Sequence, residues 1–172
     1  LTSVAGDMIY NSTTSRVEHY NGSSWAAGLA AVQVQYVIVG GGGSGGGVWG
    51  SANMAASGAG AGGYVSSVIG ENTGGGLSSH QILYLAPSTN YPVSVGAGGS
   101  GNSSQNQHSG YEGNASYFNN IVANGGGAAQ SYVQNHAKGR SIKGGSGAGR
   151  GSYINHAGIS TQGGDGLTGQ GY

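Results

Sequence analysis

Residues 36–50 read YVIVGGGGSGGGVWG: four residues with the make-up of a β-strand run straight into a tract, 40–47, that is glycine except for Ser44. Glycine has no side chain to bury, and inside regular structure it costs about 0.5–1 kcal/mol relative to alanine. With 40 glycines in 172 residues, either the tracts are flexible linkers or their packing offsets that cost. Disordered segments are usually charged and poor in large apolar residues. Here charged residues make up only 6% of the chain, and runs rich in Val, Ile and Tyr separate the glycine tracts. Ordered tracts are therefore expected.

Working outward, the stretch AVQVQYVIV places Val32, Val34, Tyr36 and Ile38 on one face of a single predicted strand, with Gln33 and Gln35 opposite. Further strands are expected at 64–69, 81–85, 91–95, 116–119, 121–123 and 132–134. Pro87 and Pro92 fall at strand margins, where a missing N–H is tolerated. Glycine tracts at 40–47, 58–63, 74–76, 96–101, 125–127, 144–151 and 163–171 follow or link these strands, without the Gly-X-Y period of collagen. Segments without side chains can lie close enough for their backbone N–H and C=O groups to pair with neighbours. The fold class expected is all-β: short strands capping packed, glycine-rich, polyproline-II-like segments, a glycine-rich sandwich.

Residues 1–31 differ. Met8–Asn11 and a run over 16–21 read as two strands joined by STTS, and the second closes on the turn dipeptide Asn21-Gly22. Two strands alone are marginal in water, so this hairpin must lean on the rest of the chain or on another copy. Two domains are expected: an N-terminal β-hairpin module, 1–31, and a glycine-rich domain, 32–172.

The net charge is zero with histidine neutral, which argues against nucleic acid and anionic membrane as partners. There is no cysteine, so no disulfide framework. No apolar run approaches the 18 residues of a membrane span, and no basic-then-apolar start resembles a signal peptide. A chain opening on Leu1 is expected to be a fragment of something longer.

The tract at 40–50 is not a phosphate loop, because Val48-Trp49-Gly50 stands where Gly-Lys-Ser/Thr would open a helix. Glu71 lies at the spacing of a dinucleotide fingerprint's acidic residue, but the helix is missing. No cofactor is expected. The histidines (His19, His80, His108, His136, His156) lack metal-ligand spacing, and solvent-facing loop positions are preferred over a metal site. Asn-His-Ala nevertheless repeats at 135–137 and 155–157. Four of the five basic residues cluster at Lys138, Arg140, Lys143 and Arg150, either as a solvated face or as a site for phosphate or carboxylate. Tyr36, Tyr64 and Tyr91 belong to strand patterns, whereas Tyr111, Tyr132 and Tyr153 sit in loop-like contexts and offer faces on which sugars stack. The five acidic residues are scattered, and no Ser/His/Asp arrangement stands out, so no enzymatic activity is expected.

GDMIYNSTTSRVEHYNGSSW resembles a short module that recurs in bacteriophage tail fibres. YVIVGGGGSGGG, GAGAGGYVSSV, YPVSVGAGGSG and NASYFNNIVANGGGAA are similar, in order, to successive blocks of a glycine-rich domain of phage fibre tips. The resemblance reaches to about Gly127, and no block after it is matched. It implies a trimeric fibre in the virion, extracellular, with the hairpin near the axis and a tip that recognises a host glycan or outer-membrane protein. The candidate receptor-binding residues are Tyr111, Tyr132, His136, Lys138, Arg140, Lys143, Arg150, Tyr153 and His156. The competing expectation is a self-assembling subunit of an extracellular glycine-rich filament.

Overall fold

The computed structural model describes residues 2–28, 31–47, 57–101, 109–129, 144–149 and 163–171. Among them are ten short strands in four small sheets and no helix, so the fold is all-β as expected. The chain divides into two compact units: Leu1–Val34 with Leu83–Thr89, and Gln35–Ile82 with Asn90–Tyr172.

The first unit holds β1 (Met8–Asn11), β2 (Arg16–Tyr20) and β3 (Trp25–Ala27) in one antiparallel sheet, order β1-β2-β3. Both connections are closed by the same device. Asn11 Oδ1 accepts from the N–H groups of Thr13 and Thr14 at 3.0 and 3.2 Å. Asn21 Oδ1 accepts from Ser23 and Ser24 at 2.9 Å each. These are Asx turns, and they explain the recurrence of Tyr-Asn-x-Ser/Thr-Ser/Thr at 10–14 and 20–24. The third strand was not expected from the sequence; it is held where Trp25 meets Tyr20, ring centroids 5.4 Å apart.

The single strand expected over 32–39 is two. β4 (Val32–Val34) pairs with β7 (Leu83–Leu85) in the first unit, and β5 (Val37–Val39) pairs with β6 (Tyr64–Ser66) in the second. The alternation of Val32, Val34, Tyr36 and Ile38 carries no mark of this change of partner. The remaining strands are β8 (Val93–Ser94), β9 (Ser116–Phe118) and β10 (Ile121–Ala123), ordered β10-β9-β8. The 132–134 strand lies outside the described residues.

The glycine segments of the second unit form a bundle. Gly40, Gly43 and Gly46 donate to the carbonyls of Gly63, Gly60 and Ser57, while Gly41 and Ser44 donate to Asn114 and Tyr111. Gly126 and Ala129 in turn donate to Gly41 and Ser44. Each neighbour is met at every third residue, the repeat of polyproline II. The segments 57–63 and 110–115 run antiparallel to 40–47, and 124–129 runs parallel to it. Burial follows the same period: Gly40 is buried and Gly42 and Gly45 exposed, and in the next segment Gly60 and Gly63 are buried and Gly58 and Ala61 exposed.

Close approach, rather than conformational freedom, is what demands glycine here. A Cβ on Gly40 would overlap the carbonyl oxygen of Asn124, one on Gly41 that of Ala97, and one on Gly43 that of Gly127. At Gly42 and Gly45 it would make ordinary contacts, 3.9 and 3.7 Å from the nearest oxygen. The tract at 74–76 differs, because Gly75 and Gly76 have φ of 72° and 75° and form a turn between Asn72 and Ser78. Buried apolar side chains are few, and they are mostly alanine where segments meet: Ala123, Ala128, Ala129 and Ala148, joined by Tyr36, Ile38 and Val65 at the strands. In this unit, much of the core is backbone.

Candidate functional site

The hydrogen bonds Gly46 N–H to Ser57, Gly110 N–H to Ala129, Ala129 N–H to Ser44, Gly149 N–H to Gly58 and Gly164 N–H to Ala148 define one end of the bundle. Gly40 with Gly63, Gly41 with Asn114, Gly63 with Asn124 and Leu167 with Gly144 define the other. Strands β5, β6, β8, β9 and β10 all join the bundle at this second end. The described residues that flank 48–56, 102–108 and 150–162 lie at the first end, as does Ala129 before 130–143; Gly144, after it, lies at the second. Strands thus join at one end of the bundle, and the described residues flanking 48–56, 102–108 and 150–162 lie at the other.

Of the candidate receptor-binding residues, Tyr111 is described. It is half-buried, and its backbone is held by Ser44, whose N–H donates to the Tyr111 carbonyl at 2.9 Å and whose hydroxyl accepts the Tyr111 N–H at 2.7 Å. Tyr132, His136, Lys138, Arg140, Lys143, Arg150, Tyr153 and His156 lie outside the described residues. Among the described residues no group of three His, Cys, Asp or Glu gathers that could hold a metal ion. Nor does any helix among them have the length and apolarity to cross a membrane.

Glu71, at the spacing of a nucleotide-binding acid, has a local role. Its Oε2 accepts from the Tyr64 hydroxyl at 2.8 Å and the Ser66 hydroxyl at 2.9 Å. The carboxylate beside it holds the Tyr64 hydroxyl above its usual pKa, by the hydrogen bond first. Tyr36, 9% exposed, packs edge-on against Phe118 with centroids 6.3 Å apart, and Tyr91 meets the same ring edge-on at 6.3 Å. Burial raises the Tyr36 hydroxyl above its usual value. Tyr36 and Tyr91 thus pack, as expected, although each falls just before a strand, whereas Tyr64, in β6, is held through its hydroxyl by Glu71.

An apolar hollow of about 350 Å³ at the strand end, lined by residues of β5, β8 and β9 including Val37, Val39, Val93 and Phe118, was not expected from the sequence. It opens where segments in backbone contact give way to strands held apart by side chains. No motif signals it, because it depends on the spacing of strands distant in sequence.

A family model described as a glycine-rich domain matches residues 14–172. The chain belongs to this family of glycine-rich domains. Comparisons with curated proteins and with solved structures found no match.

Proposed function

We propose that this chain is a glycine-rich module of a bacteriophage tail fibre and acts there as a non-enzymatic adhesin for a host surface glycan or outer-membrane protein. The observation that carries the reading is the sorting of the bundle: strands join at one end, and the described residues flanking 48–56, 102–108 and 150–162 lie at the other. The clustered Lys138, Arg140, Lys143 and Arg150, with Tyr132, Tyr153, His136 and His156, fall in the stretches 130–143 and 150–162. A scaffold packed through its backbone loses little further entropy on contact with a receptor, and several copies per particle multiply weak contacts into avidity.

Self-association, as a homotrimer, belongs to the same proposal. Directly opposed residues share a sheet face, so Met8, Tyr10, Val17, His19 and Ala26 lie on one face of β1-β2-β3. Met8, Tyr10 and Val17 on it are 74%, 66% and 51% exposed. A second copy covering that face would bury its exposed Met8, Tyr10 and Val17.

The test is an antibody against residues 128–160 with gold labelling of native particles in the electron microscope. Gold at the distal ends of tail fibres is the expected result. Gold at regular intervals along a continuous filament would overturn it in favour of a structural wall protein.

A further inference from the structure

A bundle of glycine segments has a problem that side-chain packing normally solves. With hydrogen bonds to each neighbour recurring every third residue, sliding one segment by three residues presents the same backbone groups again. In sheets, register is weakly specified wherever strands are glycine-rich, and the same physics applies here. Ser44 is the one residue with a side chain between Gly40 and Gly47, in the middle of a segment that bonds to 57–63, 96–101, 110–115 and 124–129.

We infer that Ser44 is a register pin, the residue that fixes how the 40–47 segment lies against 110–115 and 124–129. Its backbone N–H donates to the Tyr111 carbonyl at 2.9 Å. Its hydroxyl accepts the Tyr111 N–H at 2.7 Å and turns back toward the same carbonyl at a long 3.5 Å. Its own carbonyl is thereby left for a third segment and accepts the Ala129 N–H at 3.2 Å. A glycine has one donor and one acceptor on the main chain; the hydroxyl adds the acceptor that lets one residue tie three segments at a single height. Opposite it, a Cβ on Gly110 would overlap the Ser44 carbonyl, so the pin fits against a glycine.

The same device recurs where strands begin. Ser67 donates its N–H to the Tyr36 carbonyl at 2.9 Å, and its hydroxyl accepts the Tyr36 N–H at 2.8 Å, again with a long 3.4 Å approach to that carbonyl. Ser67 is 1% exposed. Two serines thus grip two tyrosines through the same pair of backbone groups. Ser116, 3% exposed, adds a related lock by accepting the Gly96 N–H at 2.9 Å. The serine that interrupts the glycine tract is the tract's address, because a run of eight glycines would offer several equivalent alignments.

The experiment is amide NMR of the full chain carrying Ser44→Gly, with Ser44→Thr as the variant that keeps the hydroxyl. The pin predicts more than one set of resonances for 40–47 and 109–115 in Ser44→Gly, with weakened proximity signals between Gly41 and Asn114. Ser44→Thr should keep a single set. One native set in Ser44→Gly, with the Gly41–Asn114 and Ala129–Ser44 proximities retained and only the melting temperature lowered, would overturn the inference. Should Ser44→Gly not fold, the unaltered chain decides. The Tyr111 amide must exchange with solvent as slowly as its bundle neighbours, and exchange at the rate of an exposed amide would refute the pin.

Discussion

The side chain of Gln170 closes the strand end of the bundle on the backbone of Asn124: its Oε1 accepts the Asn124 N–H at 2.7 Å and the Asn124 Nδ2 at 3.1 Å, while its Nε2 donates to the Val122 carbonyl at 3.0 Å. The Gln170 carbonyl meanwhile accepts the Tyr64 N–H at 2.9 Å, and Thr73, 4% exposed, ties the preceding Gly169 carbonyl at 2.9 Å. One glutamine therefore joins the 163–171 segment to β6 and to the start of 124–129. Removing a partner from such groups costs about 1–3 kcal/mol in unmet hydrogen bonds. Gln170→Ala is expected to lower the melting temperature by about 2–12 °C, using about 2–4 °C per kcal/mol for a chain of this size. A thermal melt that matches the unaltered chain would mean this clasp contributes nothing.

The N-terminal hairpin should loosen in acid. Asn11 Nδ2 reaches both Glu18 carboxylate oxygens at 3.0 Å and the Thr14 hydroxyl adds a bond at 2.9 Å. These bonds, Asn11 first and then Thr14, hold the Glu18 carboxyl below its ordinary value of 4.5. A depressed carboxyl stabilises the fold above its unfolded pKa, and that contribution is lost as the pH falls through the lower folded value. Measured against the intrinsic exchange rate at each pH, amides of β1 and β2 should therefore lose protection as the pH drops from about 4.5 downward, and Glu18→Gln should abolish the dependence. An acid response identical in the two chains would remove Glu18 from the account.

The exposed apolar face of β1-β2-β3 is the predicted contact between copies. Val17→Lys places a charge amid Met8, Tyr10 and Ala26, and burying an unpaired charge is strongly unfavourable. Sedimentation should find the unaltered chain associated and Val17→Lys monomeric. A monomer in both cases would contradict self-association through this face.

Replacing Lys138, Arg140, Lys143 and Arg150 together by serine should weaken adhesion to susceptible bacteria. The adhesion of the unaltered chain should itself fall with added salt, since screening of exposed charge sets in over about 10 Å at 0.1 M. The amide spectrum of the bundle serves as the control for folding. Full binding by the serine variant would leave the basic cluster a solvated surface.

What could be read from the sequence follows side-chain chemistry. Met8–Asn11, Ile121–Ala123 and the turns at Asn11 and Asn21 are marked by residues whose preferences are strong, and the glycine tracts announce themselves. The bundle segment at 110–115 is easy to miss, since only Gly110 and Gly113 mark it. Its signal is spacing: Gly110, Gly113 and Ser116 recur every third residue and are the positions turned inward. The break between β4 and β5 could not be seen, because both halves keep one alternation and only their partners differ. Register could not be seen either, for glycines look alike from either side of a three-residue shift.

The central claim is that the glycine tract is packed on defined lines, and single alanine substitutions along 40–45 test it most directly. Gly40→Ala, Gly41→Ala and Gly43→Ala force a methyl into a neighbour's carbonyl and should each cost at least about 1–3 kcal/mol, the cost of overpacking. Gly42→Ala and Gly45→Ala meet open, exposed positions and should be neutral or stabilising by up to about 1 kcal/mol through the unfolded chain. Denaturation midpoints that fall at 40, 41 and 43 and hold at 42 and 45 are the predicted result; equal, small effects at all five would show an unpacked linker and contradict the bundle.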